Sequence, residues 1–556
     1  MMTKIRLFIK NIKTSKEYTK GVSLLEVLND LPIENKEYIV SAQVNNKSRG
    51  LDFSLFTPKT IQFVDLTSLS GMRAYMRTIS MVMAKAVEDV FPNCKLRIEH
   101  PLSKGYFCSL IGDPGLPLEE AVVVIKKRMQ VLIDSDLEVV THEKPKAEVI
   151  ALFQERGDED KVKLLKSLNR CYIRFYEIDG YFDFYNGPLM LTTRKIHLFD
   201  LNPYDEGMLL HIPSKSDPTK LSEYVEQKKM YKAFQDHIRW GEIMRIKNVG
   251  DLNEFIGKEN QIGGLMKVAE ALQENRIVHI ADEIVNRKSD VKFIMISGPS
   301  SSGKTTFTKR LSTQLMAAGI RPIMISLDDY FLDRENTPRD ENGDYDYEHL
   351  QALDIPFFNQ QLSELLEGKE VALPTFDFKT GKRVFKGNKI QIKDQSVVLM
   401  EGIHALNPDL TPTIPEIAKF KIYVSALTVI SLDNHNWIPT TDNRLIRRIV
   451  RDNQYRNTTA QATLKQWASV RRGEDRWIFP FQENADAMFN SALIFEIACL
   501  RKFIEPLLME VPQDSEEHAE AHRLLKSLRF FKNVPDDIIA ETSLLREFVG
   551  GSAYEQ

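Results

Sequence analysis

The residues best suited to chemistry begin at Gly298. The run Gly298-Pro299-Ser300-Ser301-Ser302-Gly303-Lys304-Thr305, continued by Thr306, fits the pattern G-x-x-x-x-G-K-[S/T]. It follows the apolar run Phe293–Ser297 and precedes a helical pattern from Thr306 to Ala318, the setting such a loop needs. Free backbone N–H groups at a helix start favour phosphate oxygens, and the helix dipole adds to that preference. Lys304 is therefore expected at the β- and γ-phosphates of a nucleotide, and Thr305 as a ligand of Mg²⁺. The plain alternative is a Ser/Gly linker ahead of an ordinary helix.

Transfer of a phosphoryl group to an alcohol needs a base or positioning group for the acceptor, a further Mg²⁺ contact, and cations around the moving group. Ile323–Leu327 reads as a strand that runs into Asp328-Asp329-Tyr330, which sets two carboxylates at the edge of a sheet beside the loop. Adjacent aspartates also serve as helix caps or solvated turns. Val397–Met400 runs into Glu401-Gly402 at the same edge. A carboxylate after such an apolar run is costly to bury unless paired or metal-bound, so Glu401 is a second candidate Mg²⁺ contact. Arg444, Arg447, Arg448, Arg451 and Arg456 crowd one helical segment, with Arg444, Arg448 and Arg451 at i, i+4 and i+7. Like charges so spaced repel, and an anion between them is favourable. The segment reads either as a mobile lid over a triphosphate or as a solvated basic face.

These residues sit in a stretch, from about 290 to 500, where apolar runs alternate with helical segments. The runs are Phe293–Ser297, Pro322–Ser326, Val397–Met400, Phe420–Val424 and Ala492–Ile497. Their alternation predicts a parallel sheet with helices on both faces. Ahead of them, Ile5–Ile9, Tyr38–Val44 and Ile61–Leu66 read as strands and Ser23–Leu28 as a helix opened by Ser23, a small α+β module. The spacing predicts a long helix over 72–90, a strand over Cys171–Tyr176, strand, turn and strand over 180–190, and helix over 251–287. The C-terminal stretch reads as charged and helical, with a frayed Gly-Gly-Ser end.

Two resemblances follow. The first module is similar to a TGS domain of β-grasp fold. Residues 67–245 resemble the second domain of threonyl-tRNA synthetases through the 72–90 helix, Ile98-Glu99-His100-Pro101, Gly105-Tyr106-Phe107 and Gly180-Tyr181 to Gly187-Pro188. In the synthetases this domain hydrolyses mischarged tRNA with an H-x-x-x-H pair on the long helix. Arg77 and Met81 align there and cannot supply that pair, so the editing activity is expected to be absent. His100 reads as structural. What remains is a fold open to RNA, to a partner, or to the chain's own phosphate-loop domain.

The second resemblance is more specific. The loop, Leu327-Asp328-Asp329-Tyr330-Phe331, Tyr345-Asp346-Tyr347-Glu348-His349, Pro374-Thr375-Phe376-Asp377-Phe378, Glu401-Gly402 and Asp442…Arg444…Arg447-Arg448…Arg451-Asp452 occur in the order of the uridine kinase/phosphoribulokinase family. The whole arrangement resembles bacterial uridine-kinase-like nucleoside kinases. The resemblance implies that Asp328 acts as base toward the acceptor hydroxyl. It also implies that Asp346 and Arg448 hold ribose hydroxyls, with Phe376 and Asp377 beside them, and that Arg451 and Arg456 steady the phosphates. Three positions depart from the uridine kinase pattern: Phe376 stands for a Tyr, Gly381 for a base-contacting His, and Thr458 for an Arg. A missing hydrogen-bond partner in a specificity pocket can change discrimination by orders of magnitude, so the resemblance does not imply pyrimidine specificity. Lys382 and Arg383 either suit a more anionic acceptor or form a solvated hairpin.

Composition sets the outer bounds. The chain has 556 residues, 43% hydrophobic and 27% charged, with a formal net charge of -4, so several globular domains are expected and no global charge calls for nucleic acid or membrane. Its four cysteines show no C-x-x-C spacing, no apolar window approaches the ~18 residues of a membrane span, and the N-terminus lacks a signal-peptide core, which together suit the cytoplasm. The expected division is a TGS-like module at 1–66, the synthetase-like module at 67–245, a helical linker at 246–288, the P-loop kinase-like domain at 289–505 and a helical tail at 506–556. The expected activity is ATP- and Mg²⁺-dependent phosphorylation of a nucleoside or small polyol. The competing reading is a nucleotide-dependent RNA-binding or regulatory protein that uses the kinase fold as a switch; no N-K-x-D guanine-reading motif follows the loop strands. RNA binding through the front modules and homo-oligomerisation are left open.

Overall fold

In a computed structural model, the apolar run Phe293–Ser297 is the central strand of a five-stranded sheet. The structure describes residues 3–554 apart from 259, 260, 341, 342, 344, 429 and 536. The strands lie in the order Arg321–Ser326, Ser396–Glu401, Phe293–Ser297, Lys419–Ser425, Ala487–Asn490, and every neighbouring pair is parallel. A strand covered on both faces needs apolar residues at successive positions, and Phe293–Ser297 is buried throughout. Register pairs Glu401 with both Ile296 and Ser326, so three adjacent strands end level at one edge.

One strand falls elsewhere than the sequence predicts. The fifth strand is Ala487–Asn490, not 492–497. Asn490 ends it: its Oδ1 accepts the Ala492 N–H, its amide donates to the Leu427 carbonyl, and the apolar run turns into the helix Glu496–Met509. The segment 251–287 is helical as Val249–Ile256 and Gln261–Asn286, with 259 and 260 outside the described residues. The second of these helices packs on the loop's helix Lys304–Ala317, where Arg310 donates to Glu274 and Gln273.

The front of the chain forms a mixed five-stranded sheet built around Lys4–Ile9 and Lys59–Val64, crossed by the helix Leu24–Asp30. Ser23 and Glu26 complete a capping box at that helix. Of the expected strand Tyr38–Val44, only Ser41–Val44 is extended. The long helix runs Leu69–Val90 and is mostly buried. Within 180–190 only Tyr181–Asp183 is a strand, because Tyr185, Leu189 and Met190 then leave the sheet for the core. His100 is 2% exposed and stacks on Phe234 at 3.6 Å, and burial pushes its pKa down to about 3. A neutral, packed imidazole fits the structural role.

The modules share cores. One hydrophobic cluster joins Val149, Phe153 and Leu165 of the second module to Ile294, Phe307 and Phe420 of the parallel-sheet domain. Beyond Met509 the described helices are only His518–Leu528 and Arg546–Val549. The end of the chain is not frayed at Gly550: that residue is buried, and the segment before it returns to the loop of the parallel sheet.

Candidate active site

The loop 298–305 is tight for steric reasons. A Cβ on Gly298 would stand 1.9 Å from the Val424 carbonyl oxygen, and Gly303 has φ +84° under the Leu544 side chain. Lys304 closes it, donating to the Gly298 carbonyl at 2.9 Å and the Pro299 carbonyl at 3.3 Å. Burial lowers its pKa, against the pull of Glu401 and Asp328. The Ser300 N–H is taken by Glu474 at 3.1 Å, and the Thr306 N–H and hydroxyl by Glu547 at 3.2 and 2.7 Å.

Three of the expected groups converge beside Lys304. Glu401 ends its strand with Oε1 accepting the Thr305 hydroxyl at 3.1 Å, while its buried Oε2 has no partner. Burial pushes the Glu401 carboxyl up to about 7; Asp328 and Glu547 add to this and Lys304 opposes it. Asp328 follows Arg321–Ser326 on a 3-10 turn whose N–H is capped by Ser326 Oγ at 3.3 Å. Its carboxyl opens to solvent in the cleft, yet protein crowds it from behind, and that desolvation raises its pKa against Lys304. Asp329 faces away and accepts the Phe376 N–H at 3.1 Å. The orphaned oxygen of Glu401 beside the Thr305 hydroxyl fits a hard divalent cation, which takes one or two protein oxygens and completes its shell with water and phosphate.

The arginine helix, Thr440–Arg456, differs from a mobile lid. Arg444 is buried; it donates to the Ser300 carbonyl at 3.0 Å, pairs with buried Glu474 and lies over Trp467. Arg447 is buried as well and forks onto Glu496 at 2.9 and 2.6 Å, with further bonds to Ser491 and the Ser301 carbonyl. These two brace the loop from behind. Arg448 donates to Ser300 Oγ at 2.8 Å, and Arg448, Arg451 and Arg456 gather around buried Asp452 on the cleft side.

The acceptor candidates lie across the cleft. Asp346 Oδ1 accepts the Glu348 N–H at 3.1 Å. Phe376 is buried in edge contact with Phe331 and Phe378. The Asp377 carboxylate accepts the N–H groups of Lys379 and Thr380 and so caps its own hairpin turn, which lowers its pKa. Gly381 has φ +69°, and a Cβ there would meet Arg334 at 2.8 Å. Arg334 fills that corner, bonding the Phe378 carbonyl at 2.7 Å and Tyr347 Oη at 3.2 Å. Arg383 is paired with Asp354 at 2.7 Å over Phe357, whereas Lys382 is exposed. Glu348 and His404 also line this region with unpartnered buried atoms; burial drives Glu348 up to about 6 and His404 down to about 4.

A model of the Phosphoribulokinase / Uridine kinase family matches residues 293–497. A uridine kinase of Ureaplasma parvum is 30% identical over 203 residues, 36% of this chain and 88% of that protein. The chain belongs to the phosphoribulokinase/uridine kinase family. A threonine–tRNA ligase of Clostridioides difficile is 25% identical over 182 residues, 33% of this chain and 28% of the ligase, and the N-terminal modules resemble regions of such ligases. A solved structure titled as a "Possible Uridine Kinase" from Bacillus stearothermophilus is 21% identical and covers 39% of this chain and 98% of its own, with a TM-score of 0.25. The family segment contains every site residue named from the sequence. Glu547 lies outside it. The only sequence signal for that residue is the apolar spacing Leu544-Leu545…Phe548-Val549, which marks a buried turn rather than a frayed end.

Proposed function

We propose that this chain is an ATP- and Mg²⁺-dependent kinase that moves the γ-phosphoryl group to a hydroxyl of a nucleoside or related small polyol. The observation that carries the reading is the meeting of Lys304, Asp328 and Glu401 at the common edge of three adjacent strands. Asp328 takes the proton of the acceptor hydroxyl as that hydroxyl's oxygen bonds to the γ-phosphorus and ADP leaves, and desolvation, which raises the Asp328 pKa, makes it a stronger base. Lys304, Arg448, Arg451 and Arg456 face the transferring group as cations. Gly298 to Thr306 cradle the phosphates, with the backbone N–H groups of the residues after Pro299 as donors. Thr305 and Glu401 would hold Mg²⁺, which when bound offsets the phosphate charge. Asp346, Phe376, Asp377 and Arg448 form the acceptor side, where Arg334 replaces the base-reading side chain absent at Gly381.

The reading includes the module boundaries at 66, 245, 288 and 505, a TGS-like first module and a cytoplasmic setting. Among the described residues no helix is long and apolar enough to cross a membrane. The second reading, a nucleotide switch without transfer, is favoured by the Glu547 contact on Thr306. A panel of nucleosides, sugars and sugar phosphates assayed for ADP release decides between them. Acceptor-dependent release supports the kinase; nucleotide binding with no release for any acceptor overturns it.

A further inference from the structure

A separate cavity lies away from the phosphate loop. Between the first sheet, the Leu69–Val90 helix and the C-terminal helix His518–Leu528 lies a space of about 380 Å³. A smaller lobe of about 70 Å³ adjoins it, and Lys526 lines both.

The walls are rich in cations, and only some are matched. Arg73 forks onto Glu520 at 2.9 and 3.1 Å. Arg523 pairs with Glu520 and, at 2.6 and 2.8 Å, with Asp442 at the start of the arginine helix. Arg174 meets Glu143 at 3.2 Å. Arg49, Arg77, Arg170 and Lys526 have no ion pair among the described residues. Arg77 donates only to the Pro188 carbonyl at 3.1 Å, and Arg49 only to the Ser48 carbonyl at 3.4 Å. Asp52 and Glu516 are the further carboxylates in the walls. The guanidinium of Arg77 fits because Gly187 stands against it: a Cβ there would lie 2.5 Å from Cζ.

Like charges held together out of water are costly unless an anion joins them. We propose that this cavity is a second ligand site, separate from the phosphate loop, for a small molecule carrying a pyrophosphoryl group. The adjoining lobes suit such a ligand. The small one is polar and walled by Arg49, Arg170, Arg174 and Lys526, a place for phosphoryl oxygens. The larger one, with Leu69, Pro188 and Ala519 among its walls, has the volume of a small-molecule site and takes the remainder of the ligand. Burial and the facing Arg77, Arg170, Arg49 and Arg174 bring Lys526 down to about 8, the signature of cations without a counter-charge. RNA fits less well, because its backbone is bound along exposed basic surface, whereas Arg77 is half-buried behind Gly187 and Pro188. The ligand would also touch the helix whose Arg523 grips Asp442. The inference stands whether or not the chain transfers phosphate.

The test is calorimetric titration of the full chain with inorganic pyrophosphate and, separately, with ADP. Proteins compared are the wild type, Lys304→Ala, Lys526→Glu and Arg170→Gln. Expected is a pyrophosphate site that persists in Lys304→Ala and weakens at least tenfold in both cavity variants, with circular dichroism unchanged. ADP competing for that site in Lys304→Ala identifies a nucleotide as the natural class; no competition assigns the pyrophosphoryl group to a non-nucleotide, and either result supports the site. If Lys526→Glu fails to fold, Arg170→Gln decides alone. Pyrophosphate binding that vanishes in Lys304→Ala, or that survives both cavity variants, overturns the proposal. So does an RNA oligonucleotide that binds through the same residues while pyrophosphate does not.

Discussion

Removing the carboxylate of Glu547 should tighten nucleotide binding. Its Oε2 takes the Thr306 N–H and hydroxyl, at 3.2 and 2.7 Å, on the first turn of the helix that must receive phosphate oxygens. A nucleotide that uses those donors has to displace the carboxylate first. A hydrogen bond to a charged group contributes about 1.5–3 kcal/mol, and a carboxylate at a helix N-terminus about 0.3–1 kcal/mol. Water compensates the released carboxylate in part, so the net handicap is roughly 1.4–3 kcal/mol, or about tenfold to on the order of 100-fold in Kd. Glu547→Gln keeps the shape and weakens the acceptor, so its Kd for ATP should fall about tenfold. Glu547→Ala should fall further. The assay is titration with a fluorescent ATP analogue without Mg²⁺, so that Glu401 and Thr305 contribute no metal-linked affinity. If both variants fold and bind ATP no more tightly than wild type, the carboxylate is not competing for the phosphate donors.

Asp328→Asn should lower acceptor-dependent ADP release by about 10²–10⁴-fold while the Kd for ATP changes little; near-normal turnover would remove Asp328 from the base role. Arg447→Met leaves Glu496 buried opposite an apolar side chain and should cost about 3–5 kcal/mol in urea denaturation; a loss below about 1 kcal/mol would contradict the buried pairing. His100 has a folded pKa of about 3 against an ordinary 6.5. The unfolded chain therefore binds the extra proton, and stability is full above pH 6.5 and declines as pH falls toward 3. At pH 5 this amounts to about 2 kcal/mol. His100→Phe, stacked on Phe234, should remove that share of the decline between pH 7 and 5, and an unchanged decline would show that the imidazole is not held neutral.

The parallel sheet was legible because buried strands write themselves as continuous apolar runs, and the phosphate loop because its glycines answer to local sterics. Asp328 and Glu401 were legible for a related reason: each follows such a run and so lies at its carboxyl end. Two residues of the arginine helix were misread. Arg444 and Arg447 look like surface charge in the sequence, and only their distant partners, Glu474 and Glu496, make burial affordable. Long-range pairing leaves no local periodicity to find. The same holds for Glu547, 241 residues from Thr306. Ala492–Ile497 failed differently: a short apolar run fits a strand or a buried helix start equally well, and the Asn490 side chain decided it.

These distant pairs also bear on why the front modules are attached at all. Lys161 of the second module is buried between Asp183 of its own module and Asp433 of the kinase domain, at 2.9 and 3.3 Å, and His435 closes the network on Asp183 at 2.6 Å. Burial pulls the Lys161 pKa down, yet Asp183 and Asp433 hold it above the ordinary range. Buried ion networks are poor sources of net stability, since desolvation cancels most of the attraction, but they tolerate little displacement. A shared apolar core alone would permit sliding; this network fixes one pose. The C-terminal chain then runs from the basic cavity past Asp442, which Arg523 holds, to Thr306, which Glu547 holds. A ligand that changed the cavity would therefore act on a rigid frame, whose C-terminal turn brings Glu547 onto the first turn of the phosphate-loop helix.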